Sequence, residues 1–443
     1  MKRTRLIALA TAAAMALTLT ACAQPAPAEA PAAAPAEAPA EAPAEAPAPA
    51  PAAANELHIF QNKVEIDEAY QKYAKTYEDL TGVKVTVESV GGGVDTVAVL
   101  QGYRQAGNMP DIFFCEGPGQ FELWKDIAYD MSAEPWTELT SAEYVVDGKV
   151  YGFPVAVEGY GMAYNAGILE KAGIDPAGLT SYDAYKAAFE KLDGMKDELG
   201  LTSVVSFGCS KAGGLQWVGA THNFAVYLSA GIHDTSVIDL ALEGKVDAER
   251  LGEYAKYLKL IMDYSDQDVL LTGNYDQQVA AFADQKAAFI HQGNWIDPTL
   301  VPMNLSFDMA YAPHAFSSTL TIDGIQVGAP SWLLVNKEGN VEEALAFLDS
   351  LADSPEGHAF MVEDAKMVPA FSNVELMPAT PLSLSVMQYV AAGKTYNWEQ
   401  YKLPSGFCDN SLAPIYELLA QNKITTDEFV QQVTDAIAAI PAL

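Results

Sequence analysis

Alternating strand and helix patterns over residues 57–114 predict an α/β fold, an open parallel sheet covered by helices. A second strand-rich stretch opens at Lys149, and helical patterns dominate after it. Residues 55–443 also supply enough chain for two domains with well-buried cores.

The elements follow from spacing. Leu57-His58-Ile59-Phe60 reads as a short strand, and Ile66, Tyr70, Tyr73, Tyr77 and Leu80 recur at helical intervals. Thr81-Gly82 ends that helix, and Val83, Val85 and Val87 alternate as a strand does. Thr96 to Ala106 reads as a helix, and Asp111 to Phe114 as a third strand. Ligands of such sheets sit beyond the carboxyl ends of strands. That rule singles out Gln61-Asn62-Lys63, Gly91-Gly92-Gly93 and Cys115-Glu116-Gly117-Pro118. The glycine triplet lacks the G-x-G-x-x-G spacing of a dinucleotide site. It is either a turn with positive φ or backbone brought close to a ligand. Further along, Lys149 to Asn165 is strand-rich, and Leu169 to Ala172 is a short helix stopped by Gly173. Ser181 is placed to cap a helix over Tyr182 to Leu192. Leu251–Met262, Asp276–Ala283, Val341–Leu351 and Phe429–Ile440 read as helices, and Ala287–His291 as a buried strand.

The first 22 residues are a leader: basic Lys2, Arg3 and Arg5, then a mostly apolar stretch too short for a convincing membrane span. Leu19-Thr20-Ala21-Cys22 resembles a bacterial lipobox, which makes Cys22 a lipidation site. Residues 23–54 are nearly all Ala, Pro and Glu. Proline removes donors and biases its predecessor away from helix, so this segment is expected to be a disordered linker. At about 3 Å per residue it would reach ~80–100 Å at most. The expected location is the extracellular face of a bacterial cell membrane, with the body held by its N-terminal lipid. A formal charge of -33 disfavours nucleic acid and anionic substrates, and leaves a neutral ligand unaffected. With Cys22 acylated, Cys115, Cys209 and Cys408 leave either one disulfide or three buried thiols. No C-x-x-C, H-E-x-x-H, P-loop or G-x-S-x-G motif occurs, so no metal, cofactor or enzyme activity is indicated.

Several blocks together resemble the solute-binding proteins of bacterial ABC importers, in particular the sugar- and oligosaccharide-binding group of family 1 to which maltose-binding protein belongs. Besides the leader they are Lys149-Val150-Tyr151-Gly152-Phe153-Pro154 with Tyr164-Asn165, and Leu169 to Pro176 followed by Thr180 to Tyr185. Two more are Phe282 to Ile290 with Gly293-Asn294-Trp295, and Ala344 to Leu348 with Ser354 to Gly357. Tyr182 stands where the group commonly has Trp, and Asp284-Gln285 replaces its usual turn glycine. The resemblance implies a periplasmic-binding-protein-like fold: two α/β lobes joined by a hinge, with an interlobe ligand cleft. Lobe 1 would comprise 55–157 and 311–375, and lobe 2 would comprise 158–310 and 376–443. It further implies a monomer that closes on a carbohydrate and hands it to the transmembrane subunits of an ABC permease.

A sugar calls for short hydrogen-bonding groups and flat aromatic platforms. Gln61 and Asn62 follow the first strand, and Glu116 lies past the third. Glu158 and Tyr160 sit in the crossover between lobes, flanked by glycines, and Asp323 sits in the return crossover. The resemblance places an aromatic ligand contact near Asn294 and Trp295, with core as the alternative for Trp295. Trp217 follows a glycine-rich loop. Trp332 is either a cleft residue or the core start of a strand. Trp398, with Tyr396, belongs to a segment that is either a cleft loop or a lobe cover. His222, His291 and His314 read as structural. The rival ligand is a polyamine or other small cation, held by the same carboxylates and tryptophans through charge and cation–π contact.

Overall fold

The computed structural model describes residues 55–441. The leader 1–22, Cys22 and the linker 23–54 lie outside the described residues. The strands are β1 (Glu56–Gln61), β2 (Lys84–Ser89), β3 (Ile112–Glu116), β4 (Tyr144–Val146), β5 (Lys149–Pro154) and β6 (Glu158–Asn165). They continue with β7 (Ser203–Ser206), β8 (Ala287–Gly293), β9 (Met309–Ala312), β10 (Ile325–Gly328), β11 (Ser331–Val335) and β12 (Thr395–Tyr396).

Two sheets result. The first has the order β2-β1-β3-β11-β5-β4. It is parallel across β2, β1 and β3, whereas β11 runs antiparallel to β3 and to β5. The parallel sheet expected from residues 57–114 is therefore half of a mixed sheet. The second has the order β12-β10-β6-β8-β7, with β9 sharing an edge of β6 with β10.

Alternation along the strands of the first sheet feeds two cores. Leu57, Ile59, Ile112, Leu333 and Val335 enter one core, whereas Phe60, Phe113, Cys115, Trp332 and Leu334 enter the other. The helix Asp67–Thr81 turns Tyr70, Tyr73 and Tyr77 inward, and Tyr73 stacks on Phe360 with ring centroids 5.1 Å apart. Gly82 closes this helix at φ 78°, a conformation that favours glycine. In the second lobe β8 is buried along its whole length, as a strand between β6 and β7 must be. Ser181 caps its helix by accepting from the Ala184 amide at 3.2 Å. The three described cysteines are free and buried.

The chain passes between the lobes at 155–157, at 329–330, and again between Val374 and Leu382. In the first passage the Val157 amide donates to Val368 O at 2.9 Å, and Val155 N donates to Ser331 O, just past the second passage, at 3.1 Å. The sequence expectation that lobe 1 resumes at 311 needs correction. β9 and β10 both pair with β6, so residues 311–328 belong to the second lobe.

Candidate functional site

Where β1 ends, Gln61 folds back on the turn. Its Oε1 accepts from the Lys63 amide at 2.5 Å and its Nε2 donates to Lys63 O at 3.0 Å. This clamp points the Lys63 ammonium at the carboxylate of Glu158, the first residue of β6, with Glu65 Oε1 3.6 Å away. Lys63 and Glu158 are only 9% and 6% exposed. At the end of β3, burial raises the Glu116 carboxyl to about 7, against the opposing pull of Tyr401 and Lys63. These groups line the first lobe's side of the cleft and the crossover.

The second lobe contributes rings. Tyr160 on β6 stacks on His222 with centroids 5.2 Å apart, and its hydroxyl donates to His222 O at 2.7 Å. Trp295 lies 5.0 Å from His222, 6.2 Å from Trp217 and 6.0 Å from Trp398. Trp398 stacks on Tyr401 at 5.8 Å with their planes 11° apart. Gly293 is required here, because a Cβ would stand 2.0 Å from the Trp295 ring. Burial holds His222 neutral, far below the usual imidazole range.

The lobes touch directly. Gly93 of the glycine triplet comes so near Gly214 that a Cβ on it would lie 2.5 Å from the Gly214 Cα. Gly92 and Gly93 also have φ values of 64° and 95°. The triplet therefore combines positive-φ turning with close backbone approach, here to the opposite lobe. Gln216 Nε2 reaches Gly93 O at 3.4 Å. Asn62 Oδ1, Gln216 Oε1 and Trp398 Nε1 are buried without a hydrogen-bond partner among the described residues. Left dry, each such atom is costly, so acceptors and a donor are held ready for a polar guest or for water.

Glu116, Glu158, Tyr160, Trp217, Trp295 and Trp398 converge, and Asn62 follows the end of β1 against Gly91. Gln61 and Asn294 play supporting parts: Asn294 Oδ1 accepts from the Gly159 amide at 2.9 Å and its amide reaches Ser383 at 3.3 Å. Trp332 belongs to the core of the first lobe. It stacks on Tyr144 at 4.3 Å and donates to Ala142 O at 3.1 Å. Asp323 is set apart at the β12 edge, paired with Lys394 at 3.1 Å. Lys63, Glu65, His222 and Tyr401 were missed as site residues. Lys63 was within reach of the strand-end rule, and Tyr401 stands in the aromatic segment that contributed Trp398.

Known proteins share this fold. The profile of the family described as bacterial extracellular solute-binding protein matches residues 72–383. A "Multiple sugar-binding protein" of Streptococcus mutans is 23% identical over 77% of this chain and 83% of its own length. A "Maltooligosaccharide ABC transporter solute-binding lipoprotein" of Streptococcus pneumoniae is 24% identical over 69% of this chain and 71% of its own. Among solved structures, a "Chitin oligosaccharide binding protein" superposes with a TM-score of 0.71 at 18% identity, covering 87% of this chain and 98% of that one. A sugar transporter of Bacillus licheniformis in complex with stachyose gives 0.69 at 19% identity, covering 87% and 100%. At such identities these superpositions speak for the fold.

Proposed function

The chain belongs to the bacterial extracellular solute-binding proteins, and from that premise we propose that its interlobe cleft captures a carbohydrate, mono- or oligosaccharide, for an ABC permease. The observation that carries this reading is the wall formed by Trp217, His222, Trp295, Trp398 and Tyr401, together with the buried polar atoms of Asn62, Gln216 and Trp398 that lack partners among the described residues. Ring faces accept the apolar face of a pyranose, and carboxylates accept its hydroxyls. Ligand contacts from both lobes would stabilise the closed form, and the permease would read that form. The names of the S. mutans and S. pneumoniae relatives support the same ligand class.

Within this reading Cys22 carries the lipid, residues 23–54 tether the body, and the protein works as a monomer. The support is the Leu19 to Cys22 sequence and the lipoprotein name of the pneumococcal relative. Mass spectrometry of the mature N-terminus tests the anchor; a chain starting at an unmodified residue other than Cys22 refutes it. Tryptophan fluorescence titrated with a panel of saccharides tests the ligand class. A saccharide should perturb the emission and bind about equally at low and high salt. Tight, salt-sensitive binding of spermidine with no response to any saccharide would instead establish the polyamine alternative.

A further inference from the structure

We propose that Lys63 is a specificity-determining residue of the cleft: its ammonium fills the place between Glu158 and Glu65 that a cationic ligand would need. The proposal rests on the reading of the cleft as a ligand site and deepens it by fixing the charge class of the ligand.

Without Lys63, the cavity that also receives Trp295 would hold Glu65 and Glu158, both mostly buried. Two shielded carboxylates beside an indole make a site for an alkylammonium, through charge and through the ring face. The chain places its own ammonium there. The Gln61 clamp fixes the backbone of Lys63, so its side chain is set on Glu158. Lys366 lines the same cavity, but its ammonium is engaged by Glu363 O. An amine entering from solution would have to displace a tethered ammonium whose removal strands buried charge, which is strongly unfavourable. A neutral polyol has no such competitor. The acidic body could otherwise draw cations into the cleft; Lys63 closes that route at the binding step.

The test is calorimetric titration of the full chain and of its Lys63→Ala variant with putrescine and spermidine. Wild type should show no saturable heat, and the variant should bind at least tenfold more tightly. Ethylamine should raise the melting temperature of Lys63→Ala, and ethanol should not. Lys63→Ala combined with Glu158→Gln should lose both gains. Tight binding of amines by wild type, or a variant that gains neither amine affinity nor ethylamine stabilisation, overturns the proposal. Should Lys63→Ala alone not fold, Lys63→Gln, which removes the ammonium and keeps both carboxylates, is titrated in its place, with the same outcomes. These readouts use amines only, so a failure of every saccharide would defeat the carbohydrate reading without deciding this one.

Discussion

The two walls of the cleft are built from different chemistry. Lobe 1 and the crossover present Asn62, Lys63, Glu65, Glu116 and Glu158, placed by strand ends. Lobe 2 presents Trp217, His222, Trp295, Trp398 and Tyr401, placed by a helical turn, the end of β8 and the segment after β12. The polar wall alone could not distinguish a sugar from water, and the ring wall alone would take any flat apolar body. On the proposed reading, closure would bring the two requirements onto one ligand, and the hinge would then take part in specificity as well as in capture.

Substitutions can break this comparison, beginning with the largest expected effect. Trp332→Ala should lower stability by about 3–5 kcal/mol, because it empties a core site against Tyr144. Urea unfolding measures that loss, and saccharide affinity of the folded fraction should be unchanged. Trp295→Ala should do the reverse: it should weaken saccharide binding by ~2 kcal/mol, roughly 30-fold, with a smaller effect on the unfolding midpoint. Equal affinity losses in the two variants would mean that the division between wall and core is wrong.

A third prediction sharpens the polar wall. Glu116 keeps a proton up to about 7 in the folded protein, whereas an ordinary glutamate near 4.5 releases it earlier. Between those values the folded state binds more protons than the unfolded state, so stability falls as pH rises. This contribution is complete below about 4.5 and is lost as pH passes 7. The melting temperature should drop between pH 5 and pH 8, and Glu116→Gln should flatten that change. The smallest effect is expected at Asp323. Its pairing with Lys394 is half exposed, so Asp323→Asn should change stability by about 0–1 kcal/mol and leave saccharide affinity as it is.

Much of this was legible in the sequence because it is local. Period-two alternation and strand-helix order gave the elements, and the strand-end rule led to Asn62, Glu116 and the neighbourhood of Lys63. What stayed hidden is nonlocal. The sequence pattern puts Asp323 in a crossover, but β10 remains paired with β6 through Gly328, so the true return lies beyond it. Trp332 stands at the start of a strand, where only the neighbour supplied by Tyr144 decides between cleft and core. His222 carries no motif; it joins the rings because a helical turn carries it beneath Tyr160.

The central claim is that one ligand is gripped by rings from the second lobe and polar groups from the first. A crystal structure with the saccharide selected by titration tests it most directly. A sugar ring should lie against Trp295 or Trp398, with hydroxyls bonded to Glu116 or Glu158. A saccharide bound away from both tryptophans, or held by one lobe alone, would contradict the account.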